Sequence, residues 1–167
     1  YKKTDPDSIN EFIRQVYGES PSERLDYIKG GFMESPGEFD PDEISWICNR
    51  IGVTNLVGAF VAADQGHFII NTAEEINSPC DLKMPVDPRV GPAALRETLD
   101  QIAEQIHNAL ETTNKKVIVH CYMGMERSVL SVVWYLHRYE GKTIDAAYQI
   151  VANVRPIAID HRSWIAA

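Results

Sequence analysis

Cysteine is scarce in this chain. The three cysteines, Cys48, Cys80 and Cys121, are an odd and sparse set. They do not suit a secreted disulfide scaffold and point to a reducing compartment, the cytoplasm. The histidines His67, His107, His120, His137 and His161 are scattered, and no Cys/His cluster has metal-ligand spacing, so no metal and no cofactor are expected. No run of ~18 uninterrupted apolar residues is available to span a membrane. Repeats, linkers and low-complexity tracts are missing. Positive charge is in short supply: 16 Lys and Arg face 24 Asp and Glu, for a net charge of −8. That balance argues against nucleic acid or anionic membrane as a general partner, and any anion site must make its positive field locally. The chain opens on Tyr1 rather than Met, so a trimmed start is expected and targeting segments lie beyond reach.

What is present suffices for one globular domain. At 167 residues and 44% hydrophobic content, a single domain over 1–167 with a helical extension over 1–22 is expected, acting as a monomer. Ser8 to Glu11 is a capping box ahead of Ile9, Phe12, Ile13 and Val16 at helical spacing. A weak strand region follows over 25–33, then a turn at Ser35-Pro36-Gly37. Asp40 to Glu43 is a second capping box with proline at the first helical position. Ile44, Ile47, Cys48 and Ile51 continue it at helical spacing, which predicts a helix stopped by Gly52 and makes Cys48 a core residue. The apolar run 53–60 reads as a strand, 62–66 as loop, 68–70 as a short strand and 73–79 as loop or a helical turn. A short strand over 82–86 leads into Asp87-Pro88-Arg89. Gly91-Pro92 opens a long helix with Leu95, Leu99, Ile102, Ile106 and Leu110 on one face, ending near 112–116. Beyond 128 come an apolar, buried helix to Tyr139 stopped by Gly141, a helix capped by Thr143 and broken at Arg155-Pro156, and a last helix over 160–167. Strands alternating with helices predict an α/β fold: a central, mostly parallel sheet of four to five strands with helices on both faces.

The chain is organised around residues 117–128, VIVHCYMGMERS. Three β-branched residues run into His120-Cys121, a short loop with Gly124 follows, and Arg127-Ser128 opens the apolar helix. Strand, tight loop and helix start together aim backbone N–H groups and the positive end of a helix dipole at one spot. An anion fits there. A cysteine on the rim feels the same field, which favours thiolate over thiol and makes Cys121 a candidate nucleophile. Arg127 offers a planar fork suited to two phosphate oxygens. The amides of Tyr122, Met123, Gly124, Met125, Glu126 and Arg127 match the equatorial oxygens of a phosphoryl group in transfer. Gly124 permits the backbone to turn its N–H groups inward.

His-Cys, five residues, Arg-Ser is the signature of the cysteine-based protein tyrosine phosphatases, and the chain resembles their small dual-specificity branch. The stretch 68–79 departs from that family, which reaches its next strand sooner. The resemblance implies a phosphotyrosine-phosphatase-like fold and a phosphate monoester hydrolase working through a cysteinyl-phosphate. Its substrates would be phosphotyrosine, phosphoserine or phosphothreonine proteins. It implies Cys121 as nucleophile, Arg127 as charge clamp, Ser128 as the hydroxyl that helps sulfur leave, and His120 as a structural support of the loop. The general acid should be an Asp just after a short strand, ahead of the long helix. Asp87 fits, with Asp81 as rival and the segment around Asp64 as a remoter option. Arg89, on the same loop, either meets substrate phosphate or is solvated. Arg155 either supports the loop, as an arginine near there does in relatives, or makes a surface ion pair. Cys80 either pairs reversibly with Cys121, as in some relatives, or is a lone buried thiol. Glu126 is the odd residue, since a carboxylate beside a phosphate site is unfavourable unless it points away.

The loop carries no basic residue besides Arg127, which tilts the reading away from lipid substrates. An inositol phosphate, a glycan or a nucleotide monoester remains as an alternative, as does a catalytically weak phosphate-binding module. A rhodanese-like sulfurtransferase also carries a Cys loop, but Ser128 and an upstream acid candidate speak against it. A low-molecular-weight phosphatase has its nucleophile near the start of the chain and its acid near the end, the reverse of the order here.

Overall fold

A computed structural model describes residues 39–166. The expected extension over 1–22 and its helix, the weak strand region over 25–33 and the turn at 35–37 lie outside the described residues. Five strands form one sheet: β1 (Ser45–Trp46), β2 (Ile51–Thr54), β3 (Phe68–Asn71), β4 (Leu82–Lys83) and β5 (Val117–His120), in the spatial order β1-β2-β5-β3-β4. β1 is antiparallel to β2, and the other pairings are parallel. The helices are α1 (Leu56–Asp64), α2 (Pro92–Thr112), α3 (Arg127–Tyr139) and α4 (Ile144–Val154), with 3₁₀ turns at Pro88–Val90 and Arg162–Ile165.

β5 is central because all four of its residues are buried, as suits a parallel strand covered on both faces. Its side chains alternate between two layers. Val117 and Val119 join Ile51, Val53 and Ile70 in the main core, which α2, α3 and α4 complete. Ile118 turns the other way and packs with Ile69 and Ala62 under α1. The expected α/β sheet covered on both faces is therefore present, with five strands. Thr54 and Asn71 both stand level with His120, so β2, β5 and β3 end side by side. In open parallel sheets, ligands bind in the crevice beyond such strand ends.

Three local expectations are corrected. The helix over 44–51 is instead a hairpin: Ser45 faces Val53, Trp46 faces Gly52, and the Ile47 amide donates to the Ile51 carbonyl at 2.9 Å. The Asp40 side chain does accept from the Asp42 amide at 2.9 Å, but it closes a turn, with the Glu43 amide donating to the Asp40 carbonyl at 3.2 Å, rather than starting a helix. β-Branched residues beside an open sheet edge gain more by pairing. Gly52 is consequently no helix stop. A Cβ there would meet Ile44 Cγ2 at 2.5 Å and Ile118 Cδ1 at 3.0 Å, so glycine lets β1 lie close. Cys48 sits exposed at the tip of the hairpin, not in the core.

The run 53–60 splits after Thr54. Asn55 accepts from the Gly58 amide at 3.0 Å and caps α1, which extends through Asp64. An apolar run of this kind fits a buried strand and a buried helix equally, and the cap decides between them. The final segment is a four-residue 3₁₀ turn rather than a full helix. The long helix α2 matches its expected face, with Leu95, Leu99, Ile102 and Ile106 buried. Its C-terminal end is closed by Arg50, which donates to the carbonyls of Leu110, Thr113 and Lys115 at 2.7–2.9 Å.

Candidate active site

The loop between β5 and α3 is held from outside, carbonyl by carbonyl. His120 Nδ1 lies 3.0 Å from the Cys121 carbonyl oxygen. The Tyr122 carbonyl accepts from the Leu56 amide at 3.1 Å, and the Met125 carbonyl accepts from the Ile159 amide at 2.9 Å. Arg155 takes the two between, reaching Met123 O at 3.3 Å and Gly124 O at 2.5 Å. Glu126 O accepts from Leu130 within α3. No described peptide bond is cis, and a trans peptide points its N–H opposite to its carbonyl. With six successive carbonyls turned out, the amides of residues 122–127 turn in.

Two residues enforce this shape. Gly124 has φ +70°, and a Cβ on it would collide with the Arg155 guanidinium and lie 2.7 Å from the Thr54 carbonyl. Arg155 is fully buried. Besides the loop carbonyls it donates to Pro41 O at 2.9 Å, Ser45 Oγ at 3.0 Å and Glu43 O at 3.3 Å. Burial lowers its pKa to about 10, which leaves it charged at neutral pH. It is a loop support, not a surface ion pair.

Cys121 is buried at the bottom of the loop. Its Sγ accepts from the Gly124 amide at 3.3 Å and lies 3.2 Å from Ser128 Oγ. Burial, the largest single influence, pushes the thiol up. The Ser128 hydroxyl and amide, the Arg127 charge and the Gly124 amide outweigh it and bring the pKa below the ordinary thiol value. Behind the cysteine, burial lowers the His120 pKa to about 4. The ring is therefore neutral. Nδ1 faces a carbonyl and must carry the proton, so Nε2 accepts from Ser78 Oγ at 3.2 Å. His120 shapes the loop, its one proton held against the Cys121 carbonyl.

The loop opens into a cavity of about 760 Å³ whose lining includes Cys121, Arg127, Glu126, Asp87, Arg89 and Glu75. Arg127 does not reach empty space. Its Nη1 and Nη2 donate to the two Glu75 carboxylate oxygens at 2.5 and 2.9 Å, and that fork holds the Glu75 carboxyl below its usual range. Glu75 comes from the stretch after β3 that departs from the family pattern. Asn71 pins that stretch from below through the Ala73 amide and the Ile76 carbonyl. Lys83 ties it to β4 through Glu74 O and Asn77 Oδ1. Glu126 turns to His161, whose Nε2 lies 3.1 Å from its carboxylate.

The candidate acids separate clearly. Asp87 lines the cavity and caps the 3₁₀ turn at Pro88–Val90. Asp81 binds the start of β3 instead, its side chain accepting from the Ile69 amide at 2.8 Å. Asp64 ends α1, the helix whose first residue contacts the loop, and lies at the far end of it. Asp87 carries a restraint that matters for chemistry: its oxygens accept from the Arg89 amide, Nε and Nη2 at 2.9–3.0 Å. These bonds lower its pKa, the opposite of what a proton donor needs. Arg89 is 81% exposed and also lies 3.6 Å from Glu74. Cys80 is exposed and Cys121 buried, with no disulfide between them, so Cys80 is not a buried thiol. Met123 faces the cavity, Met125 is buried against Ile157, and Tyr122 packs beside Leu56 and Ala73. Among the described residues, no group of three or more His, Cys, Asp or Glu side chains is placed to hold a metal ion.

The model of the dual specificity phosphatase catalytic domain matches residues 61–166. The chain belongs to that family. Solved structures share its fold. Human DUSP28 superposes with a TM-score of 0.63 at 19% identity, over 72% of this chain and 86% of that one. A mouse putative dual specificity phosphatase complexed with zinc tungstate superposes with a TM-score of 0.63 at 20% identity, over 79% and 87%. Dual specificity protein phosphatase 1 of Arabidopsis thaliana is 43% identical over 49 residues, 29% of this chain and 25% of that protein. A putative tyrosine phosphatase of invertebrate iridescent virus 6 is 31% identical over 67 residues, 40% of this chain and 46% of that protein. The matched stretches thus span less than half the length of these curated relatives.

Glu75, Ser78, His161 and Trp164 reach the site without a signal in the sequence. Each is brought in by a loop or turn from outside the motif, and no spacing rule links them to Cys121.

Proposed function

We propose that this domain hydrolyses phosphate monoesters on proteins, through a cysteinyl-phosphate at Cys121. The observation that carries the reading is the ring of inward amides around a sulfur whose pKa is lowered, with the Arg127 fork on the rim. The Cys121 thiolate attacks phosphorus, and the bond from phosphorus to the ester oxygen breaks. The amides of residues 122–127 and Arg127 hold the three equatorial oxygens, with Glu75 holding the guanidinium through both Nη atoms. Asp87 donates its proton to the leaving oxygen. Water then attacks phosphorus, its proton passes to Asp87, the bond from sulfur to phosphorus breaks, and Ser128 donates to the departing thiolate. The tungstate in the mouse relative is a tetrahedral oxyanion of the kind such a loop accommodates.

Protein phosphates are favoured over polyanionic small molecules by the rim. Glu74, Glu75, Asp87 and Glu126 all line the cavity, and Arg89 is already paired with Asp87 and Glu74. A substrate with several phosphates would meet four carboxylates and little free positive charge. Exposed cysteines at 48 and 80 that form no disulfide suit a reducing, cytoplasmic setting. The test is a side-by-side assay of phosphopeptides and inositol phosphates. Turnover of the peptides, lost in Cys121→Ser, supports the reading; faster turnover of the inositol phosphates overturns the substrate assignment.

A further inference from the structure

One large aromatic residue lines the cavity and has no part in the chemistry above. Trp164 belongs to the terminal 3₁₀ turn, far in sequence from the loop, yet its half-buried indole forms part of the cavity wall. The other two tryptophans are occupied elsewhere: Trp134 donates to Asp100 at 2.7 Å, and Trp46 lies edge-on to His67 under Lys116.

The turn that carries Trp164 is fixed at several points. The His161 ring stacks on the indole with centroids 3.9 Å apart and planes at 14°. His161 is in turn fastened to Glu126 through Nε2 and, through its amide, to the Tyr148 hydroxyl at 3.0 Å. Arg96 donates to the Ile165 carbonyl at 2.6 Å, and the Ile165 side chain is buried in the main core. One indole face is therefore used up by His161, and the link to Glu126 sets the ring at a fixed place relative to the phosphate loop. Val86, Pro88 and Met123 supply the other apolar parts of the wall.

We infer that Trp164 is a specificity-determining residue, the aromatic wall on which an aryl leaving group packs, so that the site prefers phosphotyrosine to phosphothreonine and phosphoserine. The inference rests on the phosphatase reading above. With the phosphoryl group on the loop, a seryl or threonyl ester places one or two carbons next to it. A tyrosyl ester places a whole ring there, and ring pairs prefer offset or edge-to-face contact at 4.5–7 Å. The wall thus rewards the ring and leaves the short alkyl chain almost untouched.

The experiment compares wild type, Trp164→Ala and Trp164→Phe on one peptide sequence carrying either phosphotyrosine or phosphothreonine, with inhibition by vanadate measured in parallel. The expected result for Trp164→Ala is a fall of about tenfold in the ratio of kcat/KM for phosphotyrosine over phosphothreonine, ~1.4 kcal/mol, carried mainly by KM. Vanadate inhibition should shift less than about twofold, the factor worth ~0.4 kcal/mol at 1.4 kcal/mol per decade. Trp164→Phe should restore most of the ratio. An equal loss on both peptides, or no change in the ratio, overturns the inference. If wild type turns over neither peptide, the phosphatase reading fails instead, and Trp164 is then judged by binding. Phosphotyrosine added to Cys121→Ser should quench a tryptophan signal that is missing from the Cys121→Ser, Trp164→Phe double variant. Quenching that is equal in the two proteins overturns the inference independently of turnover.

Discussion

The two halves of the proposed catalytic apparatus, the Cys121 loop and the Asp87 turn, are built differently. The nucleophile half is buried and over-determined: six carbonyls of the 121–126 loop are tied outward, two by a single buried arginine, and the glycine at the crossing point admits no side chain. The acid half is exposed and local. Asp87 is held by the residue two positions on, Arg89. The contrast follows from the chemistry. A phosphate clamp must be rigid before the substrate arrives, because its contribution is preorganisation. A proton donor must be adjustable, because its present carboxylate is stabilised by Arg89 and has to be released from that bond to hold a proton.

The comparison is broken most severely at the nucleophile. Cys121→Ser should abolish turnover while retaining vanadate or phosphate binding, because the amides and Arg127 remain. Residual hydrolysis by that variant would remove Cys121 from its role. Arg127→Lys should lose activity nearly as completely, since a point charge cannot replace a bidentate fork.

Removing the support behind the loop should cost almost as much from a greater distance. Arg155→Met leaves the carbonyls of Met123 and Gly124 without a donor, and Gly124→Ala forces a Cβ into Thr54 and Arg155. Both should lower kcat/KM by ~100-fold or more and also lower the melting temperature, in keeping with a buried-network loss of about 3–5 kcal/mol. A variant with wild-type activity and reduced stability would show that the loop keeps its shape without the arginine.

The acid half should respond selectively. Asp87→Asn should slow a tyrosyl or alkyl phosphate by about 10²–10⁴-fold and a substrate with a stable anionic leaving group far less. Asp81→Asn should instead weaken the β3–β4 junction, seen as lost stability without leaving-group dependence. The reverse pattern would exchange the two assignments.

Arg89→Ala sharpens the contrast with a smaller effect. Its bonds hold the Asp87 pKa down, and the active form of an acid is the protonated one, so loss of Arg89 should move the alkaline limb of the pH–rate profile upward. An unmoved limb would mean that Arg89 has already left Asp87 in the substrate complex.

The least direct effect is on stability. His120 has a folded pKa of about 4 against an ordinary value of 6.5. The unfolded chain therefore binds a proton between these values that the folded chain does not. Stability should fall as pH drops from about 6.5 to 4 and then level off, by about 3 kcal/mol in all. Urea melts of wild type and His120→Asn over that range should show the slope in the first and its reduction in the second.

What the sequence by itself determined is local in origin. The β-branched run 117–119, the loop glycine and the Arg-Ser helix start dictate strand, turn and helix within twelve residues, because each choice is made by neighbours in the chain. The spacing of Leu95, Leu99, Ile102 and Ile106 set α2 in the same way. Tertiary structure decided the places where two local answers were nearly equal, or where the partner lay far off. The 44–51 stretch has helical spacing yet pairs with β2, because an open sheet edge offers hydrogen bonds that a short helix would have to make alone. The 53–60 run became strand and helix at Asn55. Arg155 was readable as a loop support or as a surface residue, and only the tertiary fold, which brings Pro41, Glu43 and Ser45 to its guanidinium, put it behind Gly124. Glu75 on Arg127, and Trp164 on the cavity wall, come from segments separated from the motif by dozens of residues. Nothing in a one-dimensional pattern encodes which distant side chain fills the space beside a charge, since that is settled by how the layers pack.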